Sequence, residues 1–175
     1  PLDRKFAPLE DARVLRHLLT NYELTGVEGG FLLLKRASSR SPQLKLLREG
    51  VARPGERIDL RSLGQEELWL EIGLEPTLLG RVRQFFLRPA PVRLAAWRQD
   101  TRGLLAQRRA PAAMLAAGFV ASPLLLQNLD VMKFYAGKDL TRPDSYSVVL
   151  QPEHRRFWQD TFHFRIYQIG RSNDR

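Results

Sequence analysis

The sequence predicts a mainly β domain, an antiparallel sandwich of jelly-roll-like kind with an N-terminal helix and two short helical insertions. Three observations carry this. Apolar and polar residues alternate over short stretches at 68–74, 92–97, 145–150 and 162–167, and a period of two marks a half-buried strand. Residues that favour turns separate these stretches. Finally, Ala110–Leu129 runs without a formal charge in a chain that is 27% charged. That length is enough to cross a bilayer. Pro111, Gly118, Ser122, Pro123, Gln127 and Asn128 argue against a membrane helix, and Pro123 alone costs about 3 kcal/mol near its centre. The stretch reads instead as one buried strand at Met114–Ala121, a corner at Ser122-Pro123 and a short second run at Leu124–Leu126. Strands buried on both faces are continuously apolar.

Taken in order, residues 1–9 form an irregular lead-in with Pro8. A helix is expected from Glu10 to about Thr20, with Val14, Leu15, Leu18 and Leu19 on one face and Arg13, Arg16 and His17 on the other. Glu10 and Asp11 suit its first turn. A hairpin follows, Tyr22–Leu24 returning as Phe31–Arg36 through the glycines at 26, 29 and 30. Residues 37–42 read as a loop. Leu44, Leu46 and Leu47 suggest a strand and Arg53-Pro54-Gly55 a turn. After the strand at 68–74, Leu78, Leu79, Val82, Phe85 and Phe86 recur as one helical face, with Arg81, Arg83 and Gln84 opposite. Pro89 and Pro91 end that helix. A strand at 92–97, a turn at 100–103 and a strand at 104–109 make a hairpin. Asp130 caps a second inserted helix with Val131, Met132, Phe134 and Tyr135, closed near Gly137. Residues 138–144 are a polar loop. Strands at 145–150 and 162–167 complete the sheets. The expected organisation is thus a helix-plus-hairpin segment at 1–36, a loop at 37–42, a sandwich at 43–170 and a polar tail at 171–175, within one compact domain.

A chain of 175 residues can bury a core without disulfides or metal. Cysteine is absent, which excludes a disulfide framework, a thiolate nucleophile and a zinc–sulfur site. The net charge is +9. Arginines supply most of it but are scattered, and pairs such as Arg81/Arg83, Arg108/Arg109 and Arg155/Arg156 are the tightest groups. This is weak footing for nucleic acid and is compatible with an anionic membrane surface. The chain begins Pro1-Leu2-Asp3 with no charged leader and apolar core, so a domain of a longer or processed protein is expected.

No catalytic constellation stands out. His17, His154 and His163 have no metal-ligand spacing, and no nucleophile elbow, P-loop or dinucleotide fingerprint occurs. The glycines at 26–30 sit between strands and cannot present a helix N-terminus to a phosphate. No catalytic residue, metal ligand or cofactor is assigned. The candidate binding residues are Trp69 and Trp97, whose rings could stack on a sugar from a sheet face, and Arg93, Arg98 and Arg165, which form a basic strip if their strands adjoin. Trp158 lies among similar charged neighbours. Packing in the core or on a sheet face is the leading reading of the tryptophans, and the arginines are equally consistent with solvated outward positions.

The segment APLEDARVLRHLLTNYEL…GFLLLKR, with Leu18-Leu19, Tyr22 and Phe31 to Arg36, resembles the part that follows the last transmembrane helix in bacterial multi-spanning proteins related to the protein mannosyltransferase and oligosaccharyltransferase superfamily. Trp69, Gly80, Phe86, Pro91, Gly118, Phe119, Ser122, Pro123 and Leu124 resemble positions of the β-rich extracytoplasmic tail of such proteins. The resemblance implies a domain on the periplasmic or extracellular face, tethered by membrane helices upstream. The parent would be a membrane glycosyltransferase whose catalytic acidic residues lie outside this chain. The expected function is a non-catalytic accessory domain that binds glycan or a partner, including the membrane part of its own protein. A basic nucleic-acid- or anion-binding module and a hydrolase on a β-sandwich are the alternatives.

Overall fold

In the computed structural model, residues 12–29, 31–36, 44–64, 66–99 and 103–170 are described. The expected features at 1–11, 37–42 and 171–175, and most of the turn at 100–103, lie outside them. Ten strands form among the described residues: β1 Tyr22–Glu28, β2 Phe31–Arg36, β3 Leu44–Ala52, β4 Arg57–Asp59, β5 Leu68–Gly73, β6 Arg93–Arg98, β7 Gly103–Arg109, β8 Phe119–Ser122, β9 Ser145–Val149 and β10 Phe162–Ile169. Five helices accompany them: α1 Ala12–Asn21, α2 Leu78–Phe86, α3 Ala112–Ala117, α4 Asn128–Tyr135 and α5 Pro152–Arg155.

The last eight strands nest, first with last. β3 pairs with β10, β4 with β9, β5 with β8 and β6 with β7, all antiparallel. Pairing of β10 with β5 and of β9 with β6 closes them into two sheets, ordered β3-β10-β5-β8 and β4-β9-β6-β7. The architecture is thus mainly β, with two four-stranded antiparallel sheets and a few helices. The β1–β2 hairpin pairs with neither sheet.

Alternation along each strand places the core. Leu68, Leu70 and Ile72 of β5, with Phe162, Phe164 and Ile166 of β10, meet Leu94 and Ala96 of β6 and Tyr146 and Val148 of β9 in one buried cluster. The hydroxyl of Tyr146 crosses between sheets and donates to the carbonyl of Ala121 at 2.8 Å. Trp69, one residue out of phase, points the other way. It joins Val120 and Ile169 beneath Ala12, Leu15 and Leu19 of α1 and Phe134 of α4. One sheet is therefore covered on both faces, which is why β5 reads as LWLEIG rather than as a clean alternation.

Several expectations are corrected. The uncharged stretch is buried around Leu115, Phe119–Ala121 and Leu125, but only Phe119–Ser122 is strand. Ala112–Ala117 is helix, ended by Gly118 at φ 88° and ψ 171°, a region open essentially to glycine alone. A Cβ there would lie 2.1 Å from the indole nitrogen of Trp69. Leu124–Leu126 form no strand, and the backbone N–H of Leu124 donates to Thr141 instead, at 2.8 Å. Among the described residues the insertions carry four α-helices, not two. β4 was missed because three residues are too few to show a period. On α1, Ala12, Leu15 and Leu19 are buried while Val14 is 55% exposed. No helix among the described residues is long and apolar enough to cross a membrane.

Candidate functional site

Helix α2 is docked by its small and polar side, which leaves its apolar side outward. Thr77 caps it: the Thr77 hydroxyl accepts from the N–H of Gly80 at 3.1 Å and donates to the carbonyl of Arg156 at 2.9 Å. The N–H of Thr77 donates to the carbonyl of Phe157 at 3.1 Å. Gly80 lies so close that an added Cβ would stand 2.1 Å from that carbonyl oxygen. One turn on, the guanidinium of Arg83 lies 4.9 Å from the Phe157 ring centroid, and Arg156 lies 5.0 Å from it. The contacts that hold α2 are therefore a glycine, a threonine and an arginine.

The predicted apolar face exists but points to solvent. Leu78, Leu79, Val82, Phe85 and Phe86 are between 50% and 83% exposed, and Leu87 after them is 62% exposed. The rings of Phe85 and Phe86 pack edge to face at 5.0 Å. An apolar helical face ordinarily turns to the core. Here the close backbone contact at Gly80 decides the rotation, because only that side of the helix can approach residues 156–158.

Beside α2 lies an open cleft of about 380 Å³. Leu74, Val92, Ala113, Ala116 and Trp158 contribute to its largely apolar wall, and Arg88 and Arg109 also line it. Among the described residues, no ion pair or hydrogen bond holds either guanidinium. Arg109 stands opposite Arg93 in the β6–β7 register, an unfavourable like-charge pairing.

The candidate residues named from sequence do not gather. Trp69 is fully buried beneath α1 and α4, so no ligand from solvent can stack on it. Trp97 is half-buried. The guanidinium of Arg57 already lies 4.4 Å from its ring centroid, and its indole N–H donates to Ser147 at 2.9 Å. Trp158 is buried in a wall of the cleft, and its indole N–H has no acceptor among the described residues. The basic strip does not form, because Arg93 and Arg98 lie on β6 and Arg165 lies on β10 of the other sheet. Arg165 is 3.8 Å from Glu49 and is flanked in register by Glu49 and Glu71. Arg98 lines a separate, more polar cleft with Arg61, Arg142 and Asp144. There the Arg61 guanidinium, bonded to Asp59 at 2.9 Å, holds the Asp59 carboxyl below its ordinary value.

His17 and His163 are exposed, and His154 is half-buried. Among the described residues, no three His, Asp or Glu side chains gather as a metal would need. Compared with known proteins, the chain matches no family model, no curated protein and no solved structure. The site is thus defined by its own geometry, an outward apolar helix and an arginine-lined apolar cleft.

Proposed function

We propose that this is a non-catalytic accessory domain that rests on an anionic membrane surface through the apolar face of α2. The single observation behind this reading is that face, six large apolar side chains at residues 78–87 held outward by a glycine contact. Contiguous exposed apolar patches mark protein or membrane interaction sites. Charge selects the membrane. Arg81 and Arg88 flank the patch, Arg156 stands at its anchor, and each arginine near anionic headgroups contributes about 1 kcal/mol. Apolar and cationic residues on one short helix suit the boundary between headgroups and acyl chains. Placement on the extracytoplasmic face, tethered to a membrane protein, follows from the resemblance and is part of the proposal. Glycan binding is not favoured, since Trp69 is enclosed and Trp97 is covered.

Co-sedimentation with vesicles tests this. Phosphatidylglycerol-containing vesicles should bind the protein, and binding should weaken as salt rises. Phe85→Ser with Phe86→Ser removes roughly 1.5–3 kcal/mol of transfer energy per ring, so partitioning should fall at least about a hundredfold. Equal binding to neutral vesicles in high salt, or full binding by the double variant, overturns the proposal. So does sedimentation equilibrium showing a dimer that the double variant dissociates, because a second copy would then cover the face.

A further inference from the structure

We infer that the cleft beside α2 binds a single acyl chain whose anionic headgroup sits on Arg88 and Arg109. The inference rests on the membrane-surface reading and names the lipid class that goes with it. The cleft has the size of a small-molecule site, which run from roughly 300 Å³ upward. Its space has a sequence origin. Ala112, Ala113 and Ala116 of α3 line it with methyl groups, and residues of ordinary size at those positions would fill it. Pro89 and Pro91 form part of the wall and have no N–H to donate. The wall thus offers little to a sugar or nucleotide and much to a hydrocarbon.

Arg88 and Arg109 stand exposed at the rim of the cleft, where an anionic headgroup can reach them. Neither Arg88 nor Arg109 has a carboxylate partner among the described residues, and Arg93 opposite Arg109 adds a third positive charge. Guanidinium pairs with phosphate or carboxylate oxygens through two parallel hydrogen bonds. A neutral hydrocarbon engages neither rim cation, and a bare anion makes no use of the apolar wall. An anionic amphiphile satisfies both. The cleft also borders the helix proposed to meet the membrane, with Gln84 of α2 in its lining, so a lipid drawn from the surface has a short path into it.

The test is run in the Phe85→Ser, Phe86→Ser background, so that capture by the cleft is read apart from adsorption through α2. Lysophosphatidylglycerol, lysophosphatidylcholine and inorganic phosphate are each titrated below any micelle concentration. Tryptophan emission gives the signal, Trp158→Phe shows that it arises in the cleft, and native mass spectrometry gives the stoichiometry. One lysophosphatidylglycerol should bind per chain. Lysophosphatidylcholine should bind at least about tenfold more weakly, and phosphate should not displace the lipid. Arg88→Gln with Arg109→Gln should weaken the anionic lipid at least about tenfold. Ala113→Phe with Ala116→Phe, at two exposed positions, should abolish binding while thermal unfolding shows an intact fold. No saturable 1:1 binding, equal affinity for the two lipids, displacement by phosphate alone, or indifference to the alanine substitutions each overturns the inference. Vesicle binding with an empty cleft would leave the surface proposal standing alone. A filled cleft without vesicle binding would do the reverse.

Discussion

Tyr146 shows what one buried polar atom does in this sandwich. Its hydroxyl joins β9 of one sheet to β8 of the other, and burial pushes the phenol above its ordinary value of 10. Tyr146→Phe should cost about 1–3 kcal/mol in urea denaturation, the usual penalty for orphaning a buried partner. The pH dependence follows from the same atom. Folded Tyr146 stays neutral while an unfolded chain ionises its tyrosines near pH 10. Its contribution is therefore complete below about pH 10 and declines above that, as the unfolded state releases a proton that the folded state keeps. Stability should fall more steeply above pH 10 in the wild type than in Tyr146→Phe, and equal slopes would show that the phenol is not so enclosed. Gly118 is the other sensitive residue. Gly118→Ala combines a backbone conformation closed to alanine with a collision on Trp69, and the two should together cost about 2–5 kcal/mol.

At the scale of elements, α2 separates what sequence can show from what it cannot. The loss of the Thr77 cap in Thr77→Ala should cost about 1 kcal/mol. Gly80→Ala should cost about 1–3 kcal/mol, because its methyl group meets backbone rather than a yielding side chain. Both should also lower vesicle binding, since they loosen the helix that presents the patch. The existence of α2 was legible from the spacing of Leu78, Val82 and Phe85. Its rotation was not, because a helical period reveals an apolar face but not the surface that face meets. Gly80, opposite that face, was the only sign of close docking. The strands were legible wherever a period of two survives, as in β9 and β10. At α3 the residues are apolar all round, so neither period is visible. Pro111 ahead of the helix and Gly118 after it were its available start and stop signals. The cleft was illegible for a different reason: Arg88, Arg109 and Trp158 converge only through the fold.

For the whole molecule, nesting makes the two ends unequal. The C-terminal strand β10 lies inside a sheet and pairs with both β3 and β5. The N-terminal hairpin pairs with neither sheet, and α1 only covers one face through Ala12, Leu15 and Leu19. Deleting residues 162–175 splits that sheet and empties Phe162, Phe164 and Ile166 from the core, so cooperative unfolding should be lost. Deleting residues 1–43 removes no strand from either sheet. It uncovers the side of the sheet that holds Trp69, and two buried leucines at roughly 1.5–3 kcal/mol each put the loss near 3–6 kcal/mol. Domains of this kind have about 5–15 kcal/mol in total, so the sandwich should persist with reduced stability. At about 2–4 °C per kcal/mol for a chain of this length, Tm should drop by roughly 6–24 °C. Trp69 emission should shift to the red as water reaches the ring. A truncated chain with unchanged Tm and emission would mean that α1 does not seal that face. One that fails to unfold cooperatively would mean that the helical layer, and not the two sheets alone, forms the folding unit.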